Sequence, residues 1–420
     1  MMDAFFRSYS DRLFGTTSRR IAWYIVSYGL YTAIAGSFDV AFTLRTTGSF
    51  TVLCLLYLFY YICLALSFVA STLLVSSGRF SRGFALNLFF QASIGLLMYF
   101  AMPVQARPYV LVPYFMLKGI SEGFFWSTRH AAMNCLTTNE SRDRFMLSLQ
   151  IGSILVSVVM PFLSGLFMRF NTVEQGYSGI YLAGAAAAFA SLLLGPRIVS
   201  APPPRPDLRK FISFLKRKDT AVWRTYIFFS SINGSLALFS SGVLNVGVLK
   251  TEFNLGMFAS FAALCSAAFM LGLRRRIKGK TVNRLVFVAS GAAGDLAGRL
   301  AYTLLLSVPG LLFKTLCDSF LSPLRSIFSE NIVRRKSDLM AASGEWTALE
   351  PFLFQELCIL GARVFAFSLC TVLFSVLAIG PSASARAILF VLAFAPLIDF
   401  ILLRRIDKEN LHRMTLRDSL

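Results

Sequence analysis

The segment Lys118-Gly119-Ile120-Ser121-Glu122-Gly123-Phe124-Phe125-Trp126-Ser127-Thr128-Arg129 carries a pattern that returns 196 residues further on. Lys118, Glu122, Phe124 and Arg129 reappear at the same spacing as Lys314, Asp318, Phe320 and Arg325, each time inside a segment too apolar for a surface helix. A chain of 420 residues that repeats at nearly half its length reads as two related halves. Charge inside hydrocarbon is costly, so ionisable residues carried into a membrane by both halves mark function.

Composition points the same way. Hydrophobic residues make up 56% of the chain and charged ones 15%, against roughly 45 to 50% and about 25% in soluble domains. A water-soluble fold is excluded. Apolar runs reach about 20 residues, the length a helix needs to cross roughly 30 Å of hydrocarbon, and the short alternating strands of a membrane barrel are missing. Twelve spans are expected. Six lie at about 21–43, 51–75, 84–104, 109–134, 145–168 and 178–196, and six at about 225–249, 254–273, 285–307, 309–333, 350–378 and 387–403. The expected fold class is an all-α membrane protein of twelve transmembrane helices in two pseudo-symmetric six-helix bundles. Residues 1–196 form the N-terminal bundle, 197–224 a cytoplasmic linker and 225–420 the C-terminal bundle.

With the N-terminus inside, 30 of the 41 Lys and Arg residues fall in cytoplasmic segments, five in external loops and six within spans. Both termini are therefore expected in the cytoplasm and the chain in the cytoplasmic (inner) membrane. The net charge of +20 does not indicate nucleic acid. Its largest clusters (Arg274, Arg275, Arg276, Lys278 and Lys280; Arg209, Lys210, Lys216, Arg217 and Lys218) abut spans, where topology and anionic lipid account for them. In the linker, Pro202, Pro203, Pro204 and Pro206 stiffen the chain or leave it disordered. Phe211, Phe214 and Leu215 suggest a short amphipathic helix on the cytoplasmic surface. The seven cysteines lie in or beside apolar spans without a CxxC pair and read as small packing residues. No cleavable signal peptide precedes the first span, and the sequon Asn139-Glu140-Ser141 falls on the cytoplasmic side.

Two six-span halves, a basic central loop and cytoplasmic termini resemble the major facilitator superfamily across essentially the whole chain. That family carries a glycine, aspartate and arginine signature between spans two and three. Here the stretch is Ser71 to Arg79, with Gly78 and Arg79 matching its end and Val75 at the acidic position. In span four, Lys118, Gly119 and Gly123 resemble the membrane arginine followed by glycines of proton-driven members. The resemblance implies alternating access, with two bundles rocking around a cavity lined mainly by spans one, four, seven and ten.

Lys118 and Glu122 lie within roughly 5 Å of the midpoint of span four, by rise per residue, and Lys314 and Asp318 reach the same depth in span ten. Four residues apart, each base and acid share a helix face, so internal salt bridges between helices are the structural alternative to a substrate site. Span one presents Tyr24, Ser27, Tyr28, Tyr31, Ala35 and Asp39 as a polar or small stripe. Span seven presents Ser230, Asn233, Ala237, Ser241 and Asn245. Both stripes fit a watery cavity, and both also fit helix packing. Asp295 and Arg299 in span nine, with Glu356 and Arg363 in span eleven, form an expected supporting charge network. Arg129 and Arg325, nearer the cytoplasmic ends, suit gating or snorkelling anchors.

The expected chemistry follows from this pattern. Midplane lysines attract an acidic group, and carboxylates in a low-dielectric site gain proton affinity. Lys118, Lys314, Tyr28, Tyr31, Asn233 and Asn245 are the expected substrate contacts, and Glu122, Asp318 and Asp39 the proton-coupling acids. The expected partners are an anionic or amphipathic small molecule, protons and membrane lipids, with no nucleic acid, no cofactor and a monomeric chain. A lipid or glycolipid flippase is the second reading, supported by 42 phenylalanines and by Tyr57, Tyr60 and Tyr61. A non-transporting receptor of the same fold is the third. An enzyme is disfavoured because phosphate loop, metal motif and nucleophile elbow are missing. Metal transport is weak with only His130 and His412, although Asp39 is a hard-metal donor.

Overall fold

The computed structural model describes residues 16–101, 108–136, 139–198, 205–277 and 283–418, apart from positions 343, 345, 348 and 378. Lys278, Lys280 and the run Pro202 to Pro204 lie outside the described residues, as do the side chains of Arg274 to Arg276, of Cys135 and of the sequon. Every regular element among the described residues is helical. The first half holds α1 (Thr16–Ile34), a 3-10 turn (Gly36–Phe38), α2 (Asp39–Thr47), α3 (Phe50–Val75), α4 (Phe80–Ala101), α5 (Pro108–Leu136), α6 (Asn139–Arg169) and α7 (Val173–Leu193). The second holds the short α8 (Lys210–Lys216), then α9 (Ala221–Leu249), α10 (Glu252–Ile277), α11 (Arg284–Leu305), α12 (Val308–Phe320), α13 (Ser322–Ala342), α14 (Glu350–Leu377), α15 (Pro381–Val391) and α16 (Ala395–Asp418).

Eight of the described helical stretches are long and apolar enough to cross a membrane, which makes this a multi-pass membrane protein. The expected spans four, five, nine and ten are not among the eight: span five is represented by the shorter apolar stretch Leu155–Arg169, and the other three are charged. These three carry Lys118, Glu122 and Arg129, Asp295 and Arg299, and Lys314, Asp318 and Arg325, which lower their hydropathy.

Three expected spans are not continuous helices. Span one stops at Ile34, passes through the 3-10 turn and restarts at Asp39, whose carboxylate favours the positive end of the new helix. The stripe from Tyr24 to Asp39 therefore does not run along one straight face. Span ten divides at Leu321, because Pro323 has no N–H for the carbonyl of Ser319 and is tolerated only in the first turn of α13. Span twelve divides between Val391 and Ala395, where Pro396 likewise cannot donate to the carbonyl of Leu392.

Contacts divide the chain into two compact units, Met1–Ser37 with Phe59–Pro206, and Phe38–Leu58 with Asp207–Leu420. In the first unit α4 packs closely on α7 and α5. A Cβ at Gly95 would lie 2.5 Å from the carbonyl oxygen of Tyr181, so only glycine allows that approach. Asn87 is buried and donates to both the carbonyl (3.0 Å) and the hydroxyl (2.9 Å) of Ser121 on α5. The turn after α3 is closed by Gly78 at φ 78°, and Val75 before it is fully buried. The position where the resembled signature has an acid is thus a packing position here.

In the second unit α9 lies among α2, α14, α15 and α16, and α11 packs on α12, α13 and α16. The linker helix α8 is held to this unit. Phe214 is fully buried among Trp223, Trp346 and Phe354, a burial that stabilises by about 2 to 3 kcal/mol. Glu350 accepts from the Asp207 amide at 2.9 Å and pairs with Lys210 at 3.4 Å. Leu215, on the other face, is 43% exposed.

Candidate functional site

In the first unit the repeated segment sits on α5 and is pressed against α3. A Cβ at Gly119 would stand 2.3 Å from the Tyr60 carbonyl oxygen, and one at Gly123 would stand 2.7 Å from the Leu64 carbonyl oxygen. The missing side chains let the two backbones meet, and Ser67 bonds across to the Gly119 carbonyl at 3.3 Å. That approach delivers Tyr60 to the charged pair. Its hydroxyl donates a short hydrogen bond to Glu122 Oε2, and Lys118 Nζ lies 5.6 Å from the centre of its ring. Tyr28 of α1 stacks on Phe125 at 3.6 Å between ring centres and meets Trp126 edge-on. It also feels the charges of Glu122, Lys118 and Arg129. Arg129 lies over Trp126 at 5.0 Å, and His130 stacks on the same indole. Tyr31, by contrast, is buried against Gly184 of α7, as a packing residue is.

In the second unit Lys314 and Asp318 form an ion pair of 2.5 Å along α12, with the lysine side chain 11% exposed and the aspartate 40%. The helix is approached by glycines from the other side. Gly291, Gly294 and Gly298 of α11 face Arg325, Leu321 and Lys314, with an added Cβ at Gly291 only 2.8 Å from the Leu321 carbonyl oxygen.

Next to this pair lies a buried cluster of charge. Arg325 Nη1 is 3.1 Å from Asp295 and 3.8 Å from Asp399. Arg299 donates to Asn233 Oδ1 at 2.5 Å, and Asn233 donates in turn to Asp399 Oδ2 at 3.0 Å. Arg299 also bonds the Leu392 carbonyl at 2.8 Å, the group that Pro396 leaves without its helical donor. Asp295, Arg299, Asn233 and Asp399 are each at most 7% exposed. Arg325, expected near the cytoplasmic end, pairs with these buried carboxylates.

The remaining expected residues are dispersed. Asn245 accepts from the Tyr302 hydroxyl at 2.9 Å. Asp39 is buried in the first turn of α2, in the unit that holds Lys314. Glu356 and Arg363 stand half-buried on α14. Tyr57 packs against Phe239 and Phe367, and Tyr60 against Tyr61, so these aromatics serve as core within their units. Among the described residues no group of His, Cys, Asp and Glu has the arrangement of a metal site.

Asp399 was missed by the sequence reading. Its signal was present: a single acid within the apolar run Leu397 to Leu403, inside an expected span.

No family model and no curated protein matches the sequence. Solved structures do match in fold. The human organic anion transporter MFSD10 (TETRAN) is 15% identical, with a TM-score of 0.61 over 93% of this chain and 100% of that one. A POT family transporter in complex with 5-aminolevulinic acid is 12% identical with a TM-score of 0.64, and one in complex with a thioalcohol conjugated peptide is 13% identical with a TM-score of 0.65. Each covers 93% of this chain and 96% of its own. The chain therefore has the major facilitator fold.

Proposed function

From that fold we propose that the chain is a secondary active transporter rather than an enzyme. It works by alternating access and moves an anionic or amphipathic small molecule across the cytoplasmic membrane, with both termini inside. The observation that carries this reading is the recurrence of a lysine and a carboxylate, four residues apart, at matching positions of α5 and α12. Two of the structures alike in fold are an organic anion transporter and a transporter in complex with an acid, which supports an acidic cargo. Lys118 and Lys314 are assigned to acidic groups of that cargo, and Tyr28 to the apolar part beside Lys118. Glu122 and Asp318 are assigned to proton coupling, since a carboxylate beside a lysine in a low-dielectric site exchanges charge with the ligand that the lysine binds.

The test is a thermal-shift screen of the purified full-length protein against carboxylates, phosphates, sulfonates and lipid head groups. It is repeated with Lys118→Ala and Lys314→Ala. One class of small organic anion is expected to stabilise the native protein, and each substitution to abolish most of that stabilisation. Stabilisation that survives both substitutions overturns the anion site, and stabilisation by a lipid head group alone replaces it with the flippase reading.

A further inference from the structure

The linker helix α8 turns one face to the protein and leaves another uncovered, and the uncovered face has no part in the function proposed above. We propose that this face is a docking surface for anionic phospholipid, with Leu208, Ile212 and Leu215 seated among acyl chains and the basic residues around them holding the head groups.

Contacts with the protein fix the roll of α8. Phe214 is fully buried among Trp223, Trp346 and Phe354. Glu350, 1% exposed, accepts from the Asp207 and Thr347 amides at 2.9 and 2.7 Å and pairs with Lys210 at 3.4 Å. With that side anchored, Leu208, Ile212 and Leu215 follow one another at spacings of four and three on another side, 41%, 60% and 43% exposed. Leu208 stands in the turn that leads into the helix, where its carbonyl accepts from the Phe211 amide at 3.1 Å. Three large aliphatic side chains in a row are unfavourable in water and favourable at the boundary between head groups and acyl chains. Phe214 and Leu215, neighbours in sequence, are thus divided by the fold: one belongs to the core, and the other stays outside it.

The charge around this stripe is of one sign. Arg205, Arg209, Lys216 and Lys218 are exposed. Asp207 is the single acid from residue 205 to residue 218, and its Oδ1 already accepts from the Arg209 amide at 2.9 Å. The other two cations of the cluster are engaged within the protein, Lys210 by Glu350 and Arg217 by Asp219 at 2.9 Å. Depth agrees with charge. The 29 residues of α9 extend about 44 Å at roughly 1.5 Å per residue, so a helix centred on about 30 Å of hydrocarbon begins about 7 Å outside it, among the head groups. Only Arg217 to Thr220 separate α8 from that start, which keeps α8 at the level of the lipid phosphates. Neutral lipid satisfies the aliphatic stripe alone, and a soluble acidic partner satisfies the cations alone. Anionic phospholipid satisfies both. Lipid held here is a fixed neighbour of the linker, unlike the cargo of a flippase, and the surface does not rest on the transporter reading.

The experiment is fluorescence quenching of full-length Ile212→Trp in lipid nanodiscs of fixed composition, with bromine carried on the acyl chains of either phosphatidylglycerol or phosphatidylcholine. The native protein supplies the background of its four tryptophans. Quenching of the added indole is expected with both labels, and more strongly when the brominated lipid is phosphatidylglycerol in equal amount. That excess is expected to shrink as salt is raised, and to be lost when Arg205, Arg209, Lys216 and Lys218 are all replaced by glutamine. Should Ile212→Trp fold poorly, Leu215→Trp takes its place. An added indole that neither label quenches overturns the membrane contact and leaves the stripe to another occupant, such as a second copy of the chain. Equal quenching by the two labels overturns the preference for anionic lipid, as does an excess that survives loss of the four cations. The readout needs neither cargo nor flux, so a failed transport assay leaves it standing, and its own failure leaves the transporter reading untouched.

Discussion

The same four positions are used differently on α5 and on α12 with α13. On α5, Gly119 and Gly123 bring in α3, and with it a tyrosine hydroxyl for Glu122 and an aromatic face for Lys118. At the matching positions of α12 stand Thr315 and Ser319, both buried, and Ser319 bonds the Ala262 carbonyl of α10 at 3.2 Å. Close approach has moved to the other flank, where the glycines belong to α11. Without a phenol, Lys314 and Asp318 turn to each other. Arg129 likewise rests on an indole, whereas Arg325 joins two buried carboxylates. A repeated sequence pattern thus sets the same residue types at the same spacing, while the neighbours decide what each charge does.

The largest expected effect separates the two arginines. Arg325→Ala strands Asp295 and Asp399 without their guanidinium and is expected to cost about 3 to 5 kcal/mol. Arg129→Ala loses, among its contacts, a cation–π contact worth about 1 kcal/mol or less, and is expected to cost less than Arg325→Ala. Unfolding of both variants in the same detergent checks the difference, and equal losses would erase the distinction between the units. Next come the glycines. Gly119→Ala and Gly291→Ala each place a methyl within 2.8 Å of a carbonyl oxygen on the facing helix and are expected to cost about 1 to 3 kcal/mol. Thr315→Ala, at the position equivalent to Gly119, is expected to be milder in the same assay, because no backbone has to move. The smallest expected effects fall on single hydrogen bonds. Tyr60→Phe removes the donor to Glu122 and should lower stability by about 1.5 kcal/mol, as for other bonds to charged groups. Ser319→Ala should cost roughly 0.5 to 1.5 kcal/mol, the worth of a neutral bond.

Much of this was legible in the sequence. Length and hydropathy placed the helices, and the recurrence of Lys118 and Glu122 as Lys314 and Asp318 located the embedded charge. The pairings were not legible, since spacing along a helix cannot show that Tyr60 on another helix reaches Glu122 or that Asn233 links Arg299 to Asp399. The breaks in spans ten and twelve had a local cause in Pro323 and Pro396. In a membrane segment, however, proline alone does not say whether a helix kinks or restarts. Span one was harder still, because its interruption at Gly36 to Phe38 lies where no proline marks it. Asp399 was overlooked only because its span has no counterpart in the repeated pattern.

The most direct test of the central claim is proton movement into proteoliposomes loaded with a pH-sensitive dye, driven by an inward gradient of the anion identified in the thermal-shift screen. Internal acidification or alkalinisation that follows the anion, and that is lost in Lys118→Ala and in Lys314→Ala, is the expected result. An anion flux that leaves the internal pH untouched, or a proton signal that persists without either lysine, would contradict it.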